Sequence, residues 1–494
     1  MIPVLSLLVA AHSILSQTVP AGTALHVRLA APIGSYASQV GSPVEAVLIA
    51  PVRADGRTIL PAGSQISGVV KSVRRVGLGI VHETSSLAID FNSVTAQGSG
   101  PVRMGARLAA VDNGREAVTP GGTIIETRAT GTWSSRAAHV ARMMALWSVH
   151  TDVAVFAVKA MLVRVPEPEI YLPSGAELTL MLTEAIAARG VEEPEPGPRP
   201  LAQEERAELA QVVARLPERT FAPSGRPSDF INLLLIGDGQ EIAEAFTAAG
   251  WIEARATSFK AGIEDAFAVM ENRGNPSAPM SPLLVNGASA DMSWEKGLNN
   301  LAKRHHVRLW RRGRTEDGRQ IWIGAATRDI DFAYMRRGRL MTHRIEAQVD
   351  HEREKVAGDL AFTGCVDAQD SLERPGGPRR ARNATGDWME TDGRLAVIVM
   401  DACPERARLF PESGAAALPM HGNAFQRILR GQIMSARSDL IRANPYWQMY
   451  ARVRILARAV WALKNGAQDP DAAPKPTLAS RLRPDRIATI ISLR

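Results

Sequence analysis

The densest run of side chains able to bind an anion or move a proton is Lys303-Arg304-His305-His306-Val307-Arg308-Leu309-Trp310-Arg311-Arg312. Read as a strand, it alternates between two faces. His305, Val307 and Leu309 share one face, which reads as core with a satisfied histidine. Arg304, His306, Arg308 and Trp310 share the other. That second set could line a pocket for an anionic group, with Arg308 offering a fork of donors and Trp310 a flat wall. Neighbouring histidines on opposite faces are poorly placed to hold one metal ion, so no metal is assigned.

Downstream come Thr342-His343-Arg344-Ile345-Glu346 and Asp350-His351-Glu352-Arg353. With His306, the residues His343, Asp350 and Glu352 have the types needed for a His/carboxylate metal set or an acid–base site. The candidate catalytic residues are therefore His306, His343 and Asp350, and the candidate binding residues are Arg308, Trp310 and Arg304. Structural roles account for the downstream residues at least as well. Asp350 can cap a helix, Glu352 can complement its dipole and Arg353 can pair on the surface. A second motif, Gly237-Asp238-Gly239, stands between an apolar run and a helix. Ile242 occupies the third glycine position of a dinucleotide fingerprint, so a tight turn is the better reading.

The elements that must position these residues follow from pattern. Val19-Pro20-Ala21-Gly22-Thr23, Leu60-Pro61-Ala62-Gly63-Ser64 and Leu172-Pro173-Ser174-Gly175-Ala176 are three copies of a Pro–small–Gly turn, each feeding an alternating strand. Further strand patterns cover 44–52, 65–73 and 86–94. Short strands with such turns predict a small β-barrel or sandwich over 17–189. Residues 137–165 are Ala-rich and apolar with interspersed charge, which predicts a helical insertion. A Pro-rich acidic linker occupies 190–200. Beyond it, 201–403 mixes helices (201–216, one after Gly239, 351–361) with strands (231–236, 283–286, 307–311, 320–326, 340–346, 394–400), an α+β pattern. The fold class is thus α+β multidomain.

The chain of 494 residues carries 58 basic and 51 acidic side chains, and only eight of the basic ones are Lys. From 404 onward there are 15 basic against 6 acidic residues, a net +9, which leaves the preceding residues at −2. This basic tail holds a helical stripe, Tyr446, Met449, Val453, Leu456, Val460 and Leu463. Its expected contact is the protein's own body or an anionic membrane surface; nucleic acid is not the expected partner. Charges interrupt every apolar run beyond the N-terminus, which excludes a multi-span helical membrane protein. Two cysteines exclude a disulfide-dense scaffold.

Residues 4–15 form an apolar run followed by small side chains, with no basic residue before Arg28. The run predicts an exported protein with an atypical signal segment over 1–16 and a mature start between Ile14 and Thr18. In an oxidising compartment Cys365 and Cys403 could pair; otherwise they are two thiols.

The same residues carry a resemblance. Those at 304–310, 321–329, 342–345 and 350–353 are similar, in order, to the LssY C-terminal domain family. So are Ile231-Asn232-Leu233-Leu234, Ala248-Ala249-Gly250-Trp251 and Asn383-Ala384-Thr385-Gly386-Asp387. The resemblance spans roughly Asp229 to Met400. The family takes its name from a component ascribed to a secretion system and has no established activity, so it implies a domain, not a reaction. The Pro–Ala–Gly repeats weakly resemble β-rich domains of conjugation-type envelope proteins. The expectation is an exported cell-envelope protein with a binding or assembly role, its partners being envelope components or an anionic ligand. The rival expectation is a hydrolase of an anionic substrate working through a His/Arg/Asp pocket. No cofactor is specified.

Overall fold

Each Pro–small–Gly copy folds as the same turn. Gly22, Gly63 and Gly175 take φ of 85°, 88° and 85°. Thr23, Ser64 and Ala176 each donate their backbone N–H to the carbonyl of Pro20, Pro61 and Pro173. These are turns that need a positive φ at the third position. Each launches a strand of one closed barrel. The computed structural model describes residues 17–54, 57–96, 99–126, 167–188, 197–254, 280–299, 303–333, 342–404, 423–443 and 453. The expected signal segment, the insertion at 137–165, most of the linker and the stripe at 446–463 (Val453 apart) lie outside the described residues.

The barrel strands are β1 (Ala24–Leu29), β2 (Pro43–Leu48), β3 (Gln65–Arg74), β4 (Ser86–Thr95), β5 (Val102–Val111) and β6 (Glu177–Leu182). The hydrogen-bonded order β4-β3-β2-β1-β6-β5 closes by pairing of β4 with β5, and every pair is antiparallel. Closure leaves no free edge. Leu25, Val27, Val44, Ile66, Phe91, Leu108 and Leu180 fill the interior. The register shifts at Ser67/Gly68, where a Cβ on Gly68 would stand 2.5 Å from the Asp90 carbonyl oxygen. Only glycine lets the two strands approach so closely at this bend. The strand expected over 44–52 stops at Leu48, and Val52–Ala54 pairs separately with Arg57–Leu60. Pro51 has no N–H to carry a ladder through.

The second unit is an eight-stranded sheet. Its strands are β7 (Leu233–Ile236), β8 (Ile252–Glu253), β9 (Met292–Gly297), β10 (Arg304–Arg314), β11 (Gln320–Ala333), β12 (Thr342–Ile345), β13 (Val366–Glu373) and, after a ribbon of β14 (Arg380–Arg382) and β15 (Trp388–Glu390), β16 (Arg394–Met400). The order is β8-β9-β10-β11-β7-β16-β13, with β12 on the far half of β11. Only the β7–β16 pair is parallel. Helices α1 (Gln203–Arg215), α2 (Gly239–Ala248) and α3 (Val349–Thr363) cover it. On one face Ile242 and Phe246 of α2 and Val356 and Leu360 of α3 pack on Leu233, Val307, Leu309 and Ile398. On the other, Leu209 and Val213 of α1 pack near Leu234, Trp310, Ile323 and Val397. A sheet covered on both faces explains the unbroken apolar runs of β7 and β16.

Together these make a mixed α+β multidomain chain, mostly β, with four helices among the described residues. Gly237-Asp238-Gly239 is a capped turn. Asp238 accepts from the Gln240 N–H at 2.8 Å, and Glu241 accepts from the Asp238 N–H at 2.9 Å. This box satisfies the helix end with the chain's own carboxylates. Helix α4 (Ala424–Ala443) lies against the barrel, where Met434 meets Val76 and Arg430 reaches Glu167 at 2.7 Å. Cys365 and Cys403 are disulfide-bonded, held close because β13 and β16 are antiparallel neighbours. Among the described residues no helix is long and apolar enough to cross a membrane.

Candidate functional site

Strand β10 is buried from Arg304 to Trp310 on both faces. The alternation is as expected, but the polar face is not open. Trp310 is fully buried in the core and donates its indole N–H to the Ala288 carbonyl at 3.1 Å, so it walls no open pocket. Arg308 donates to the Ser281 carbonyl at 2.9 Å and lies 3.8 Å from Asp229.

His306 and His343 do meet, through a residue the motif reading did not single out as functional. Asp329 lies across from Arg304 in the β10–β11 register. Its carboxylate accepts from His306 Nε2 at 2.7 Å and lies 3.3 Å from His343 Nδ1. Arg304 stands over the group, 3.5 Å from His343 Nε2, 3.4 Å from Glu295 and 3.8 Å from Asp329. Burial pushes His306 down to about 4, and the cations Arg304 and Arg308 add to this against the pull of Asp329. Burial alone would raise Asp329, but His306, His343 and Arg304 hold it below the usual carboxylate range. At neutral pH the arrangement is a neutral imidazole donating to a carboxylate. His306 Nδ1 is buried without a hydrogen-bond partner. His343 is the most exposed of the three, with 29% of its side chain accessible. The set can therefore hold or relay a proton between surface and interior.

Asp350 is elsewhere. It is not the N-cap, which is Gln348; it sits inside the first turn of α3. Its carboxylate accepts from Thr391 Oγ1 at 2.8 Å and from the Asp392 N–H at 2.6 Å. Arg353 is buried rather than on the surface, and joins Asp350 (3.0 Å), Asp392 (2.7 Å) and the Arg394 carbonyl (2.8 Å). Asp350 and Arg353 thus brace the turn into β16. No described group of three or more His, Cys, Asp or Glu side chains could hold a metal ion.

A second assembly of charge is one the linear reading missed, because its members come from both units. Barrel residues Arg28 and Glu177 meet Lys296 of β9 and Lys355 and Asp359 of α3. Glu177 accepts from Arg28 at 2.8 Å, Lys296 at 3.0 Å and Lys355 at 2.7 Å. Asp359 accepts from Lys296 at 3.1 Å, from Lys355 at 2.9 Å and from the Trp251 indole at 3.0 Å. Burial would raise both carboxyls, yet the surrounding cations hold both low, Glu177 well below its ordinary value. Beside this cluster, His305 spans the same junction. It meets Glu352 of α3 through Nδ1 at 2.8 Å and Asp112 of the barrel through Nε2 at 3.0 Å. Burial opposes its charge, but Glu352 and Asp112 raise it to about 9. Glu352, expected to complement a helix dipole, is instead the buried partner of an imidazolium. Arg328 also reaches Asp112 at 2.6 Å, and Asn299 holds Glu116 at 3.0 Å. Unlike charges alone carry no address in a sequence; the only signal was the presence of Lys296 and Lys355 among so few lysines.

The β10–β11–β12 motifs and α3 lie together on one sheet, and that sheet has a family counterpart. The family model described as LssY C-terminus matches residues 213–395. The LssY-like region therefore begins within α1 and ends at the start of β16. No curated protein matches the chain. Among solved structures, ComB10 of the Com type IV secretion system of Helicobacter pylori is weakly similar, at 12% identity and a TM-score of 0.20, over 35% of this chain and 90% of that one.

Proposed function

We propose that this is an exported cell-envelope protein whose barrel and LssY-like domain act as one non-catalytic binding or assembly body. The observation that carries the reading is the junction of Arg28, Glu177, Lys296, Lys355 and Asp359, in which opposite charges from the two units satisfy one another out of water. A buried network of this kind specifies how the units sit, since any other docking leaves charges unpaired. The disulfide and the apolar run near the N-terminus support an oxidising compartment. N-terminal sequencing of protein from a cell-envelope fraction tests the export part. The expected mature start is between Ile14 and Thr18; an intact Met1 on cytosolic protein overturns it.

One observation favours the second reading, a hydrolase of an anionic substrate. Asp329 joins His306 and His343, with Arg304 alongside. A panel of phosphate, sulfate and carboxylate esters decides. Turnover that falls about a hundredfold or more in His306→Gln, with folding retained, would establish general acid–base work. Absence of turnover across the panel removes the reading.

A further inference from the structure

Large apolar side chains collect at one end of the barrel. Among the described residues eleven are exposed, and eight of those lie on three segments that meet there. The connection from β1 to β2 holds Tyr36 and Val40, and that from β3 to β4 holds Leu78, Ile80 and Val81. The start of α4 adds Phe425, Ile428 and Leu429. Val81 and Phe425 are 72% and 70% exposed, so they are presented to solvent rather than lodged between elements.

Polar contacts join the three segments into one surface. Arg75 donates to the Ser35 and Ser38 carbonyls, each at 3.1 Å. The Glu169 carboxylate accepts from the Ser35 hydroxyl at 2.6 Å and from the Val76 N–H at 2.8 Å. Arg437 of α4 donates to the Val81 carbonyl at 3.3 Å, and a Cβ on Gly79 would run into Met434. Phe425, Ile428 and Leu429 follow i, i+3, i+4 spacing and share one side of α4. Met434 lies on the opposite side, buried against Val76. The helix is therefore docked by one face and offers an apolar one. Monomeric soluble proteins rarely leave apolar side chains gathered in this way uncovered.

Charge selects what covers them. Lys71, Arg74 and Arg75 are exposed beside the β3–β4 connection, and Arg427, Arg430 and Arg437 lie on α4. The acids that bond to these segments are already engaged: Glu83 with Arg437, Glu167 with Arg430, and Glu169 with the N–H groups of Val76 and Gly77. The fitting occupant is apolar and anionic together. Residues 137–165 of this chain carry Arg142, Lys159 and Arg164 against Asp152, the tail is strongly basic, and a second copy would bring the same basic ring. Like charge opposes all three. An anionic bilayer supplies both properties, headgroup charge at its surface and hydrocarbon beneath.

We infer that this end of the barrel, with the start of α4, is a docking surface for an anionic lipid membrane. The surface shares no residue with the histidine set or the five-charge junction, so its failure would leave the assembly reading standing.

The test sediments full-length protein with vesicles of phosphatidylcholine alone and of equal parts phosphatidylcholine and phosphatidylglycerol, at low and high salt. Binding is expected to the mixed vesicles only, and it weakens as salt screens the headgroups. Ile80→Ser with Val81→Ser should keep the melting temperature, since both side chains are exposed, and should weaken binding on the order of tenfold. Phe425→Ser tests the same surface from α4, so the result does not hang on one loop. Phe221→Ser, at an exposed apolar residue of the LssY-like unit, should leave binding unchanged. Four results overturn the proposal. They are no binding to the mixed vesicles; equal binding to both kinds; binding unchanged in both the double variant and Phe425→Ser, which would place it in the basic tail; and a dimer formed without lipid and lost in the double variant, which would make a second copy the occupant.

Discussion

The imidazole of His305, on the LssY-like sheet, stands 3.0 Å from the carboxylate of Asp112, on the barrel. Its other nitrogen meets Glu352 at 2.8 Å, so one ring ties the two units together as a doubly paired imidazolium.

That ring makes stability depend on pH with a definite sign. His305 is raised from 6.5 to about 9 in the folded protein. Its contribution is fully present below pH 6.5 and is lost progressively as pH rises through about 9. The shift corresponds to on the order of 3 kcal/mol. Urea unfolding at pH 6.5, 8 and 9.5 should show falling stability in the wild type and a flatter profile in His305→Gln. His306 has the opposite sign. Its folded value of about 4 removes stability as pH falls below 6.5, so His306→Gln should flatten the acid limb.

The five-charge junction should respond more strongly to breaking than to replacement. Glu177→Gln leaves Arg28, Lys296 and Lys355 short of a partner and should cost about 3–5 kcal/mol. The double variant Glu177→Gln with Lys296→Met should recover part of that loss. A double-mutant cycle by chemical denaturation measures the coupling; strict additivity would deny that the two residues act together.

Arg308→Ala and Arg311→Ala separate a buried arginine from an exposed one three residues along the same strand. Arg308 faces Asp229 inside the protein, and its loss should cost about 2–4 kcal/mol. Arg311 is exposed, and its loss should stay within about 0.5 kcal/mol. Melting curves of the two variants, with any ligand-binding readout alongside, check the order.

The Cys365–Cys403 bond closes a loop of 38 residues. Chain-entropy reasoning assigns such a loop about 4 kcal/mol. Reduction, or Cys403→Ala, should lower stability by that order, read as a shift in denaturation midpoint under oxidising and reducing buffer.

Much of this was legible along the chain. The Pro–small–Gly copies announced turns because Pro fixes φ and Gly admits a positive φ locally, whatever the surroundings. The two-residue period of 304–310 announced a strand and sorted His305 from His306 onto opposite faces. The motifs at 304–310, 321–329 and 350–353 lie where the LssY C-terminus match falls. Local rules of this kind act through neighbours in sequence, so sequence displays them.

Tertiary structure decided the rest. Period two cannot say whether a second face meets water or a second layer, and the segment that carries Ala288 meets Trp310 on the second face. Nothing local told Asp350 to bind the Asp392 turn, or Glu352 to bind His305, because both partners arrive by sheet and helix packing. The pairing of Arg28 with Asp359 joins residues 331 apart. Coulomb attraction depends on distance and burial, not on order along the chain. Only the docking of barrel on sheet brings these charges within 3.3 Å and removes the water that would have screened them.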